Sequence, residues 1–149
     1  MSAGSFEVFL ATRNASDYAD FFLPHLTADA RVLDVGCGTG TITVGLAERV
    51  GEVLGVDPED EFDDARRYAS EHGLENIEFR RGSVYALELP SDYFDACLAH
   101  SMLETLEQPL DALTEIKRTL KPGGIVGVAC VEYGGVIIAG PGEELLRRF

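Results

Sequence analysis

The stretch Val32-Leu-Asp-Val-Gly-Cys-Gly-Thr-Gly40 decides the fold. An apolar run broken by one aspartate ends in three glycines at alternate positions, and Ile42, Leu46 and Val50 then recur at helical spacing. A strand that closes in a loop without side chains and restarts as a helix opens a βαβ unit. Glycine allows positive φ in such a loop and lets a ligand approach the main chain.

Outward from this loop the same alternation continues. Short apolar runs at 31–35, 52–56, 76–80, 94–99 and 124–131 read as strands. Helical patterns lie between and around them, at 17–26, 41–50, 60–72 and 109–120. The third of these places Phe62, Ala65 and Ala69 on one face and stops at Gly73. The fourth begins at Pro109 and carries the stripe Leu110, Leu113, Ile116 and Leu120 before Pro122-Gly-Gly turns the chain. Strands separated by helices of this length pair in parallel, with both faces of the sheet covered. Cys97 and Cys130 fall in predicted strands and read as small core residues.

Composition bounds the function. The 149 residues suit one domain, 1–149, with 46% hydrophobic and 26% charged residues. Twelve Lys+Arg against 26 Asp+Glu leave a net charge of −14, which argues against nucleic acid and anionic membrane as partners. Three cysteines without a Cys-x-x-Cys pair, and three scattered histidines, give neither a disulfide framework nor a metal motif. The N-terminal residues lack a signal-peptide pattern, and the longest strongly apolar run, 125–131, is far shorter than the ~20 residues of a membrane span. The expectation is a cytoplasmic domain.

The loop itself is informative. Its spacing is Gly-x-Gly-x-Gly, not the Gly-x-Gly-x-x-Gly of a dinucleotide fold, and Asp34 stands two residues before its first glycine. A carboxylate there repels a pyrophosphate and suits a cationic ligand. No Gly-Lys-Ser/Thr follows, so a P-loop is excluded. Asp57, in Gly55-Val-Asp-Pro58, ends the second predicted strand 17 positions after Gly40, where an open α/β sheet sets an acid against a ribose diol.

With these residues in view, the chain resembles the class I, Rossmann-like S-adenosylmethionine-dependent methyltransferases, and is most similar to their small-molecule branch, which includes the quinone-biosynthesis enzymes. The loop 34–40 matches the family's first motif and Asp57 its second. Arg81-Gly-Ser-Val-Tyr-Ala-Leu-Glu-Leu-Pro90 matches the third, Tyr93-Phe-Asp-Ala-Cys-Leu-Ala-His100 the fourth strand, and Leu120-Lys-Pro-Gly-Gly124 the turn before strand five. The resemblance implies a doubly wound α/β sheet of five parallel strands in the order 3-2-1-4-5, with helices on both faces. It implies S-adenosyl-L-methionine as cofactor and a small, uncharged or cationic molecule as methyl acceptor.

It also implies roles. Asp34 orients the ammonium end of the cofactor, Gly36, Cys37, Gly38 and Gly40 lie beneath it, and Asp57 accepts the ribose hydroxyls. Pro58 packs near the adenine. The family places Gly-Asp after strand three; here Gly82-Ser83-Val84 stands instead, so adenine recognition rests on Ser83 and Val84. Ala99 and His100 end strand four as pocket residues, Tyr18 belongs to an opening helix over the methionine end, and Glu104 and Tyr133 are further candidates. The sequence shows no obligatory base, so the catalytic residue stays unassigned. A non-catalytic cofactor-binding or scaffold module is the alternative. A nicotinamide oxidoreductase is disfavoured by Asp34 and the glycine spacing. Strands six and seven of the family are not found in the sequence. Either the native chain is longer, or a homodimer or another partner covers the sheet edge.

Overall fold

The computed structural model describes residues 13–130. Five strands, β1 (Arg31–Val35), β2 (Glu52–Asp57), β3 (Ile77–Arg81), β4 (Phe94–His100) and β5 (Leu120–Ala129), form one parallel sheet in the order β3-β2-β1-β4-β5. The helices are α1 (Ala15–Tyr18), α2 (Thr41–Ala47), α3 (Asp63–Glu71) and α4 (Pro109–Thr119). The expected doubly wound sheet and its strand order are therefore present.

Strand periodicity sorts the core into two layers. Val32, Val53, Ala96 and Leu98 pack with Phe22, Ile42 and Leu46 on the α2 side. Leu33, Leu54, Val56 and Cys97 pack with Ile116 and Leu120 on the α4 side. A third cluster joins Phe62 and Ala65 of the α3 region to Phe79 of β3, with the two rings stacked 5.1 Å apart. Asn76, just before β3, fastens the end of α2 to the sheet, because its side-chain amide donates to the carbonyls of Ala47 and Val50, both at 2.8 Å.

Several expectations need correction. The opening helix does not run over 17–26: α1 ends at Tyr18, and a 3₁₀ turn over Leu23–His25 follows. Pro24 has no N–H to continue an α-helical ladder, and the Asp20 carboxylate takes the Phe21 amide at 2.7 Å. The fifth strand starts at Leu120, not at 124. Phe94 pairs with Leu120 and Ala96 with Ile125, so Lys121-Pro-Gly-Gly is absorbed as an irregularity inside the ladder. Position 131 lies outside the described residues. Cys130 lies after the strand and is exposed, whereas Cys97 is buried as expected. Leu110 is 76% exposed and leaves the α4 stripe, whereas Ala112 and Ile116 are fully buried. Ile125, Val126 and Val128 are exposed along β5, the edge strand. No helix among the described residues is long and apolar enough to cross a membrane.

Candidate functional site at the carboxyl edge of the sheet

The sheet register sets the site. Val35 of β1 pairs with Val56 of β2 and with Ala99 of β4. One step further, Asp57, Gly36 and His100 stand level on adjacent strands, where the strand order reverses between β1 and β4. This is the crevice in which open α/β sheets bind ligands.

Gly36, Gly38 and Gly40 all have positive φ, at +69°, +55° and +80°. A Cβ on Gly36 would lie 2.4 Å from Met102 Cγ, and one on Gly40 would lie 2.5 Å from the Phe79 ring. Gly38 differs: nothing lies within 4 Å of its Cβ direction, so its main chain faces open space. The loop is fastened to β2 by Gly36 N donating to Val56 O at 2.8 Å and by Gly38 N donating to Asp57 Oδ2, also at 2.8 Å. The second Asp57 oxygen accepts Glu59 N at 3.0 Å. Each carboxylate oxygen has a second lone pair, so these bonds leave the acid able to accept a diol.

Beside Asp57 opens a cleft of about 330 Å³, walled by Gly36, Val56, Pro58, Ser83, Val84, Tyr85 and Met102. The expected adenine residues Pro58, Ser83 and Val84 thus lie together. Ser83 Oγ accepts Tyr85 N at 3.3 Å, which keeps the short loop folded back on itself.

The other end of the site is polar and partly buried. Asp34 is only 2% exposed and accepts Thr43 Oγ1 at 2.7 Å. Burial raises its carboxyl to about 7, and the charge of Asp57 adds to the rise against the opposing Thr43 bond and Arg13 charge. Arg13 Nη1 reaches His100 Nδ1 at 3.4 Å, and the Tyr18 ring meets the His100 ring edge-on at 5.7 Å. Arg13 Nε is buried without a hydrogen-bond partner. Burial lowers the Arg13 guanidinium from its ordinary value, with Tyr18 and Asp34 acting in the opposite sense. Ser101, next to His100, holds φ +51° and donates its amide to Ala129 O at 2.7 Å, a strained link that fixes the end of β4.

Two predicted pocket residues contribute no side chain to the crevice, which for Cys37 is the main-chain role expected of it. Ala99 is fully buried in the α4-side core and offers no side chain to the crevice. Cys37 turns its sulfur inward, 3.0 Å from the Cβ direction of Gly55, and burial pushes its thiol well up. Only its main chain belongs to the loop surface. Tyr133 lies outside the described residues. Arg13, Thr43, Tyr85 and Met102 were not singled out by the sequence. A cation placed before the first strand in so acidic a chain was the one available signal for Arg13.

A nucleoside joined to a zwitterionic amino acid needs an apolar cleft, a diol acceptor, bare main chain, an acid for its ammonium and a donor for its carboxylate. The cleft beside Asp57, the Asp57 carboxylate, the open main chain at Gly38, the Asp34 carboxyl and the unpartnered Arg13 N–H are groups of these kinds.

Comparison with known proteins agrees with the geometry. Residues 33–128 match the model of a methyltransferase domain family. An uncharacterized methyltransferase of Schizosaccharomyces pombe is 40% identical over 125 residues, covering 78% of this chain and 45% of that protein. A ubiquinone biosynthesis O-methyltransferase of Dinoroseobacter shibae is 34% identical over 120 residues, covering 79% and 48% respectively. The chain thus spans about half the length of these curated relatives or slightly less. Among solved structures, a SAM-dependent methyltransferase from Aquifex aeolicus superposes with a TM-score of 0.71 at 26% identity, covering 86% of this chain and 71% of that one. On its sequence match, strand order and glycine loop together, the chain belongs to the Rossmann-like methyltransferase-domain family.

Proposed function

We propose that this chain binds S-adenosylmethionine across the carboxyl edge of β1, β2 and β4 and transfers its methyl group to a small-molecule acceptor. The observation that carries this reading is the Asp57–Gly38 clasp, which holds a glycine loop at positive φ with its middle residue facing open space. Asp57 would hold the ribose, Pro58, Ser83 and Val84 the adenine, Asp34 the ammonium and Arg13 the carboxylate.

The cofactor supplies a methyl on a sulfonium sulfur, open to in-line displacement. What remains for the protein is to align an acceptor and exclude water. The net charge of −14 favours a small molecule over nucleic acid as acceptor. The three free cysteines suit a reducing intracellular compartment.

Binding without turnover is the second reading, and Ser83 favours it. It is uncharged and engaged with Tyr85 N, so it offers adenine less than the family's acid does. Calorimetric titration with S-adenosylmethionine, S-adenosylhomocysteine and NAD tests the site. Binding of the first two and not the third is expected, and preference for NAD overturns the assignment. Radiolabelled methyl transfer to phenol, carboxylate and amine acceptors then separates enzyme from binding module.

A further inference from the structure

We propose that the cleft beside Asp57 holds its base by stacking on Tyr85 and not by reading the base edge, so that it takes purine nucleoside ligands carrying either a 6-amino or a 6-oxo group. This rests on the function proposed above and names the ligand range of the same site.

Tyr85 is built in as a platform. It lies on a turn closed by Ala86 N donating to Ser83 O at 3.0 Å. Its own amide donates to Ser83 Oγ at 3.3 Å, and its hydroxyl accepts the amide of Gln108, the residue that caps α4, also at 3.3 Å. The side chain is thus held at both ends, yet the residue is 43% exposed. Tyr85, Thr105 and Leu106 line both the cleft and a second cavity of about 540 Å³ that reaches Glu107 and Asp111. The tyrosine is therefore a partition with open space beside it, and an aromatic ring pinned in that way offers a surface to a flat ligand.

The platform is also fixed relative to the sugar acid. Gly82 N donates to the main-chain oxygen of Asp57 at 2.9 Å, so the turn begins one hydrogen bond away from the proposed ribose acceptor. On its other side Leu87 N donates to Glu115 Oε1 at 3.0 Å, and Arg118 grips the same carboxylate at 2.7 and 2.8 Å.

The base edge meets no comparable reader. Asp57 is the one charged side chain lining the cleft among the described residues, and no side-chain amide joins it. The other polar side chains are the hydroxyls of Ser83, Tyr85, Ser101 and Thr105. A hydroxyl both donates and accepts, so it meets either polarity equally. Three of the four are already bonded to main chain, Thr105 by donating to Met102 O at 2.7 Å. Adenine presents a donor at its 6-amino group and an acceptor at N1. Hypoxanthine has the same two rings with both polarities reversed. The two bases stack alike and differ only at the edge. Pro58, Ser83 and Tyr85 are exposed at the rim, so water can satisfy either edge.

The test is calorimetric titration of the 149-residue chain with S-adenosylhomocysteine and with S-inosylhomocysteine, its 6-oxo counterpart. The wild-type chain is expected to bind the two within about threefold of each other. Tyr85→Ala should weaken both by about tenfold or more and leave their ratio unchanged. Tyr85→Phe, which keeps the ring, should recover most of that loss, and Tyr85→Leu carries the ring-removal arm if the alanine variant does not fold. Ser83→Asp places at the cleft an acceptor that cannot donate, and it should open a preference of about tenfold or more for the adenosyl ligand. A wild-type preference above about tenfold, an affinity that survives loss of the ring, or a ratio that Ser83→Asp does not move overturns the proposal while the proposed function stands. Failure of the wild-type chain to bind either ligand overturns both.

Discussion

The carboxylate of Asp57 accepts the amide of Gly38 at 2.8 Å, across 19 residues of sequence. One acid therefore holds the shape of the glycine loop before any ligand arrives. Removing it should act twice. Asp57→Ala is expected to weaken S-adenosylhomocysteine binding by about 1–3 kcal/mol through lost charge-assisted hydrogen bonds. It should also raise the hydrogen-exchange rate of the Gly38 amide in the ligand-free protein. Asp57→Asn, which keeps an acceptor oxygen, should protect Gly38 better than alanine does while still losing affinity. Unchanged affinity in Asp57→Ala would remove the ribose assignment. Unchanged exchange would remove the clasp.

The three loop glycines share a backbone conformation but not an environment, and this predicts different costs. Gly40→Ala drives a methyl to 2.5 Å from the Phe79 ring, which stacks on Phe62 and cannot yield easily. A loss of about 2–4 kcal/mol of stability is expected from overpacking and positive-φ strain together. Gly38→Ala meets no neighbour and should cost only about 1–2 kcal/mol, the backbone term alone. Its methyl enters the ligand's space, so its affinity should fall more than its stability. Denaturant melts with parallel calorimetry separate the two. Equal destabilisation by both variants would contradict the packing described.

The core makes a similar contrast. Ile116 is fully buried against the sheet, and Ile116→Ala should cost about 2–5 kcal/mol through lost burial and a residual cavity. Leu110 shares its periodic stripe in the sequence but is 76% exposed, so Leu110→Ala should move stability by less than about 0.5 kcal/mol. Urea midpoints measured at constant m decide between them.

That contrast shows where the sequence speaks and where it falls silent. The parallel sheet was legible because strands buried on both faces read as plain apolar runs, while its strand order came only with the family resemblance that the loop 34–40 and Asp57 carry. Asp57, Pro58, Ser83 and Val84 came out of motif order and meet around one cleft. Periodicity does not say where along a helix burial begins, which is why Leu110, in the first turn of α4, is exposed while Ala112 and Ile116 are buried. The opening helix failed on local chemistry, where Pro24 and the Asp20 side chain outcompete the ladder. Thr43 and Met102 could not be read at all, and Arg13 only as a cation standing before the first strand of an acidic chain. Their roles arise from packing between segments far apart in the chain, and no residue type or spacing announces such contacts.

Asp34 gives a pH dependence with a definite sign. The unfolded carboxyl titrates near 3.8 and the folded one near 7, raised chiefly by burial. The folded chain therefore keeps a proton that the unfolded chain has released. Stability from this group is complete below the unfolded value, falls as pH rises through the window between them, and is gone above about 7. Asp34→Asn, whose amide oxygen can still accept Thr43 Oγ1, removes that loss and should be more stable than wild type above this window, by on the order of a few kcal/mol. Binding runs the other way. The ammonium of the ligand needs the ionised carboxylate, so affinity for S-adenosylhomocysteine should rise as pH climbs through about 7, with proton release on binding below it. Calorimetry in buffers of different ionisation enthalpy reads that proton directly. In Asp34→Asn the proton release should vanish and affinity should become flat with pH across the same range. A wild-type affinity that does not change with pH would mean that Asp34 does not face the ligand's ammonium. A variant no more stable than wild type above the window would mean that the buried carboxyl is already ionised there at no cost.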